Sequence, residues 1–352
     1  MQAVIVVPSR PSSAALVDLP EPAPDEGPVL IETLAVGVCG TDREILEGTY
    51  GAAPPGRDQL VLGHEAIGRV LEAPDDSGLS AGDLVVPIVR HPDPVPCDHC
   101  AVGEWDMCRN GRYTEHGITG RDGFARERFR TSVDHTVQVD PMLGRTGVLL
   151  EPASVVAKAW SQLERIGARS RWTPRRVLVL GAGPIGLLGA LMGVQRRLEV
   201  HVLDRVTTGP KPKLVESLGA RYHTGPVAEV PIDVDIVLEC TGASQLVFDA
   251  MRRVAPTGIV CLTGVSSGQR PLTVDAGALN NELVLENNVV FGSVNANRLH
   301  YELGADALAQ ADRRWLDALI TRRVPLAAWH EAYEPSPDDV KTILQFGDAS
   351  ED

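Results

Sequence analysis

The run Arg176-Val177-Leu178-Val179-Leu180 leads without interruption into Gly181-Ala182-Gly183-Pro184-Ile185-Gly186. An apolar strand that turns on glycines into a helix commits this stretch to a parallel sheet. In such a turn Gly181 permits the tight bend, Gly183 lets a pyrophosphate approach the backbone, and Gly186 lets the helix pack closely on the strand. Pro184 and Ile185 open the helix, whose first N–H groups are free to receive phosphate oxygens. Further strands are predicted at 199–203, 235–239, 259–262 and 289–291, with helices at 185–195 and 244–254 between them. Strand–helix alternation of this kind implies a doubly wound α/β sheet.

Asp204 closes the strand His201-Val202-Leu203. An acid there accepts hydrogen bonds from the adenosine ribose and repels a 2′-phosphate, which argues for NAD. Arg205 follows directly, and an arginine at a strand end can hold that phosphate, so NADP stays open. Thr241 in Cys240-Thr241-Gly242 and Thr263 in Leu262-Thr263-Gly264 fall at later strand ends, where such a sheet meets its dinucleotide.

The part before Glu151 reads differently. Short apolar runs such as 29–36 end at turn residues, the pattern of antiparallel β structure with long loops. The first residues, Met1 to Val7, read as a strand, 91–96 as a loop, and 152–163 as a helix. Cys39 lies in Gly-Val-Cys-Gly-Thr-Asp, His64 and Glu65 in Gly-His-Glu-Ala-Ile-Gly, and Glu151 in Glu-Pro-Ala. A thiolate, an imidazole and carboxylates together make a zinc shell that leaves room for a substrate.

The remaining cysteines are Cys97, Cys100, Cys108, Cys240 and Cys261. The start of the chain lacks a basic segment ahead of an apolar one, so a signal peptide is not expected. Metal ligation then outranks disulfides, and a cytoplasmic setting follows. The net charge of −14 disfavours nucleic acid as a partner. The absence of a long apolar run disfavours a membrane span. The tail after Gly347 is expected to fray.

The motifs at 39–45 and 63–68, with the glycine turn, resemble those of zinc-dependent medium-chain alcohol dehydrogenases. Tyr113-Thr114-Glu115-His116-Gly117-Ile118, Leu150-Glu151-Pro152 and Gly292-Ser293-Val294-Asn295 are similar to the glucose 1-dehydrogenase branch. The resemblance implies a GroES-like, mostly β catalytic domain over 1–154, completed by 292–352, and a Rossmann domain over 155–291. It implies a catalytic zinc on Cys39, His64 and Glu151, with Glu65 as a further or exchangeable ligand. Thr41 would contact the reacting oxygen, while Glu115 and Asn295 would touch sugar hydroxyls or the nicotinamide end. The activity implied is NAD(P)-dependent oxidation of an aldose such as glucose or galactose to its lactone, by a homodimer or homotetramer.

Other readings are a dehydrogenase of a polyol, cyclitol or amino-sugar intermediate, a zinc-free reductase, and a non-catalytic nucleotide-binding protein. The family also carries a structural zinc on four cysteines of one loop. Cys97, Cys100 and Cys108 match three of them, but Pro94 stands at the first. Asp93, His91 or His99 would have to supply the fourth ligand, or the site is empty.

Overall fold

The structure is a computed structural model that describes residues 1–266 and 271–347. The tail expected to fray lies outside the described residues. The chain divides into two compact units: Met1–Ser154 with the segment from Asn295 onward, and Val155–Val294. The first boundary falls inside the helix Leu150–Gly167.

The first unit is built on a seven-stranded sheet. Its central strand, Val29–Val38, pairs antiparallel with Glu65–Glu72 on one side and Lys341–Gln345 on the other. Arg128–Thr131 pairs with its first half. The Val29–Val38 strand is nearly continuous apolar sequence because most of its residues are buried, against neighbours on both faces. Ile31, Val36, Val70, Phe124, Phe129 and Leu344 form the heart of this core. Each such side chain contributes about 1.5–3 kcal/mol on burial. The N-terminal strand spans Gln2–Val6 and pairs with Ala15–Asp18 and Leu60–Val61. Of the segment read as a loop at 91–96, His91 belongs to a short strand, Arg90–His91, paired with Thr114–His116.

The second unit holds six parallel strands: β1 (Arg176–Leu180), β2 (Glu199–Leu203), β3 (Arg221–His223), β4 (Val234–Glu239), β5 (Val254–Leu262) and β6 (Val289–Gly292). Their order is β3-β2-β1-β4-β5-β6. The order reverses at β1, the switch point at which such sheets bind ligands beyond their strand ends. The helix Pro184–Gln195 follows β1 and is apolar almost all round, as a helix buried in a core must be. β5 begins at Val254, earlier than predicted, and the preceding helix stops at Met251. β3 was not predicted, because Arg-Tyr-His shows no apolar pattern. Among the described residues no helix is long and apolar enough to cross a membrane.

Candidate functional site

Two adjacent strands of the first unit converge on one cluster. Cys39 follows the central strand and precedes the helix Gly40–Leu46 in an extended conformation. Glu65 begins its strand opposite Gly37, and His64 immediately precedes it. Ligand atoms of Cys39, His64 and Glu65 all lie within 4.8 Å of one another. His64 and Glu65 are buried and Cys39 is half-buried. A thiolate, an imidazole and a carboxylate at this spacing fit a zinc ion.

Asp42 organises two of these groups. One of its oxygens accepts the Cys39 N–H at 2.8 Å, and the other faces His64 Nδ1 at 3.3 Å. Burial works against charge on His64, but the Asp42 carboxylate overrides it and lifts the imidazole well above its usual pKa. The surroundings of His64 are therefore negatively charged, and a metal bound there would displace the imidazole proton. Glu151 is not one of the three grouped ligands. Burial, followed by repulsion from Glu65, pushes its carboxyl up to about 7. Its charge is thus coupled to the same pocket. Thr41 lies with its Oγ1 4.0 Å from Cys39 Sγ.

Glu115 is held by a second network. Its strand sets it opposite Arg90. Its Oε1 accepts from Arg90 Nε at 3.0 Å, from Arg90 Nη2 at 2.9 Å and from Asn295 Nδ2 at 2.8 Å. The Arg90 guanidinium also stacks 3.7 Å over the Tyr113 ring. Glu115 and Arg90 are both buried, so neither reads as a solvated loop charge. Asn295 sits at φ +61°, a left-handed position that asparagine tolerates better than most residues. Its neighbour is Glu115, which joins two residues named separately from the sequence.

The glycine turn of the second unit forms a cradle. Gly181 has φ +100°, and a Cβ on Gly186 would collide with the Gly181 carbonyl. Gly183 caps the helix that Pro184 and Ile185 begin. Nothing lies within 4 Å of where a Gly183 Cβ would stand, so its backbone is open to a ligand. Asp204 accepts from Ala182 N at 2.7 Å and Val206 N at 3.0 Å, and Lys211 Nζ lies 3.4 Å away. Arg205 beside it is exposed. Thr241 and Thr263 both lean on Glu239. The Thr241 N–H reaches the Glu239 carboxylate at 2.8 Å, and Thr263 Oγ1 donates to the Glu239 carbonyl at 2.9 Å.

The cysteine lobe departs from a closed zinc site. The sulfurs of Cys97, Cys100 and Cys108 converge, and among the described residues no fourth His, Cys, Asp or Glu joins them. The Asp93 carboxylate is occupied by Val95 N, Asn110 Nδ2 and Arg112 Nε at 2.9, 2.9 and 3.0 Å. His99 pairs with Glu104 at 3.1 Å. His91 is stacked on His135, with ring centroids 3.7 Å apart. Three thiols alone leave the tetrahedron open.

Sequence reasoning missed Asp42, Arg90, Glu239 and Lys341. Asp42 lies inside a quoted motif and was findable as the acid next to a ligand cysteine. Arg90 and Lys341 gain meaning only from strand pairing, and Glu239 only from the N–H groups its buried carboxylate gathers.

Residues 25–141 match the alcohol dehydrogenase GroES-like domain, and residues 144–346 match the glucose dehydrogenase C-terminus. The chain is 39% identical to glucose 1-dehydrogenase of Methanocella arvoryzae, across 99% of this chain and 100% of that one. It is 42% identical to glucose 1-dehydrogenase of Thermoproteus tenax, across 98% and 99%. Glucose dehydrogenase of Haloferax mediterranei, solved in complex with NADP, Zn and gluconolactone, superposes with a TM-score of 0.91. Its identity is 32%, covering 99% of this chain and 100% of that one.

Proposed function

The chain belongs to the glucose dehydrogenase family, with the GroES-like domain of the alcohol dehydrogenases, and we propose that it oxidises an aldose at C1 to the lactone, with hydride transfer to NAD(P) and a zinc ion as electrophile. The observation that carries the proposal is the convergence of Cys39, His64 and Glu65 beside an oriented Asp42. Full-length relatives named for glucose, and one solved with NADP, Zn and gluconolactone, support the substrate and both cofactors.

Cys39, His64 and Glu65 would hold the metal, and Glu151, whose carboxyl feels the Glu65 charge, would be the further ligand when Glu65 exchanges off it. A zinc ion lowers the pKa of a substrate hydroxyl and stabilises the charge that develops on it. Asp42 keeps His64 and Cys39 in place. Thr41 hydrogen-bonds the reacting oxygen and passes its proton towards solvent. Glu115, its Oε1 taken by Arg90 and Asn295, offers Oε2 to a sugar hydroxyl. The Gly181–Gly186 turn receives the pyrophosphate at the helix N-terminus. The Asp204 charge is partly balanced by Lys211, and Arg205 stands exposed next to it, which supports use of NADP as well as NAD.

On this reading 1–154 with 292–352 is the catalytic domain and 155–291 the dinucleotide-binding domain. All six cysteines are free thiols, which supports a reducing, cytoplasmic setting. A homo-oligomer is part of the proposal, supported by the exposed Val284 and Leu285 at the end of the helix Ala276–Leu285. The test is cofactor reduction across glucose, galactose, polyols and cyclitols. Turnover of an aldose with lactone as product supports the reading. Turnover confined to polyols or cyclitols removes the aldose assignment.

A further inference from the structure

Lys341 is among the largest fully buried side chains of the protein, and the chemistry above makes no use of it. It begins the strand Lys341–Gln345, whose next residue, Thr342, pairs with Val38. That register carries the lysine to the place where the central strand delivers Cys39. Its Nζ donates to the Val38 carbonyl at 3.0 Å and forms an ion pair with Glu65 Oε2. The room for this pair is made by Gly37. A Cβ there would strike Glu65 Oε2 and stand 2.9 Å from Lys341 Cε. A buried ammonium is costly unless it is paired, and a glycine kept beneath the pair marks a built arrangement.

Glu65 therefore faces two cations. Its carboxylate is grouped with Cys39 and His64, where a metal would sit, and it is also paired with Lys341. We propose that Lys341 is a positioning residue that draws Glu65 off the metal, so that the substrate oxygen can take the position the carboxylate would otherwise fill. The proposal rests on the metal-centre reading. Lys341 competes for one carboxylate and so sets the share of time that Glu65 spends as a ligand. Without the ammonium, Glu65 would close the metal shell. With a guanidinium in its place, Glu65 would be held back more firmly.

The experiment uses the whole zinc-loaded protein and reads zinc transfer to a chromogenic chelator, together with KM for glucose and for the dinucleotide. Lys341→Met is expected to slow zinc release and raise the glucose KM, each by about 10-fold, the size of effect that changing a partner of a metal ligand has, here in the direction of tighter retention. The dinucleotide KM is expected to stay where it is. Adding Glu65→Gln to Lys341→Met should bring both zinc release and the glucose KM to the values of the single Glu65→Gln variant. Lys341→Arg should move zinc release the other way, towards faster. It carries the test if Lys341→Met does not fold. Zinc release unchanged in Lys341→Met, or unchanged or slower in Lys341→Arg, overturns the proposal. If the unaltered protein holds no zinc, the metal-centre reading fails and takes this proposal with it. Zinc held by the unaltered protein but released independently of residue 341 removes the role of Lys341 alone.

Discussion

Asp42 Oδ1 stands 3.3 Å from His64 Nδ1, and both side chains are buried. With its Nδ1 edge turned to a carboxylate, His64 presents Nε2 as its metal-ligating nitrogen. The same carboxylate holds the Cys39 backbone N–H. One acid thus orients two of the three clustered ligands. Asp42→Asn keeps the shape and removes the charge. Zinc affinity is expected to fall by about 10- to 100-fold, measured by competition with a chelating dye. Unchanged affinity would show that the ligands hold their geometry without it.

The Arg90–Glu115–Asn295 network makes a separate claim about the sugar. Glu115→Gln preserves the volume but weakens the bond to a hydroxyl. A hydrogen bond to a charged group contributes about 1.5–3 kcal/mol, so the glucose KM should rise by roughly 10- to 100-fold. Zinc content and dinucleotide affinity should stay level. Steady-state kinetics with metal analysis tests this, and an unchanged KM would remove Glu115 from the substrate site.

Gly186 faces the Gly181 carbonyl with no space for a side chain. Gly186→Ala forces the turn and helix apart, and such overpacking costs about 1–3 kcal/mol. Dinucleotide affinity is expected to drop with it, as read by titration of reduced-cofactor fluorescence. Zinc binding in the other unit should persist. Normal dinucleotide affinity in this variant would mean the turn is not the cradle.

Acid should weaken the fold through a histidine cluster. His91 stacks on His135, and its Nε2 lies 3.1 Å from His116 Nε2. Burial pushes His135 down to about 4, and burial also holds His91 and His116 below the usual imidazole value. All three stay neutral in the folded chain and bind protons more readily when it unfolds. Stability is therefore fullest above the unfolded histidine pKa, about 6.5. It falls as pH drops from there towards the folded values, reaching about 4 for His135. Each such group adds a slope of about 1.4 kcal/mol per pH unit. His135→Phe should flatten the acid limb of stability against pH by that single-group amount. Denaturant melts across the range measure it, and an identical slope would contradict the neutral cluster.

The parts of this protein legible in its sequence are those governed by local pattern. β1 was readable to the residue because Val177 to Leu180 is a continuous apolar run ending at glycine, and β2 because Val200, Val202 and Leu203 form a short β-branched-rich run ending at Asp204. β3 was not, since three polar-leaning residues carry no periodicity. β5 was read too short because Pro256 to Gly258 looks like a turn, and the sheet carries on through it with a register shift in its partner. Cys39, His64 and Glu65 were named because each sits in a short glycine-flanked motif. Lys341 and Arg90 could not be named that way. Their roles come from antiparallel register, which places Lys341 beside Val38 and Arg90 opposite Glu115. Glu239 likewise acquires its role only when its buried carboxylate gathers the N–H groups of Thr241 and Gly242.

The central claim is metal-dependent oxidation of an aldose. Protein stripped by a chelator, freed of the chelator and supplied with glucose and NADP tests it most directly, with and without added zinc. The account predicts no cofactor reduction in the stripped protein, recovery on adding zinc, and gluconolactone as the product. Glucose-driven reduction of NADP that persists at full rate in protein shown to be zinc-free would contradict it.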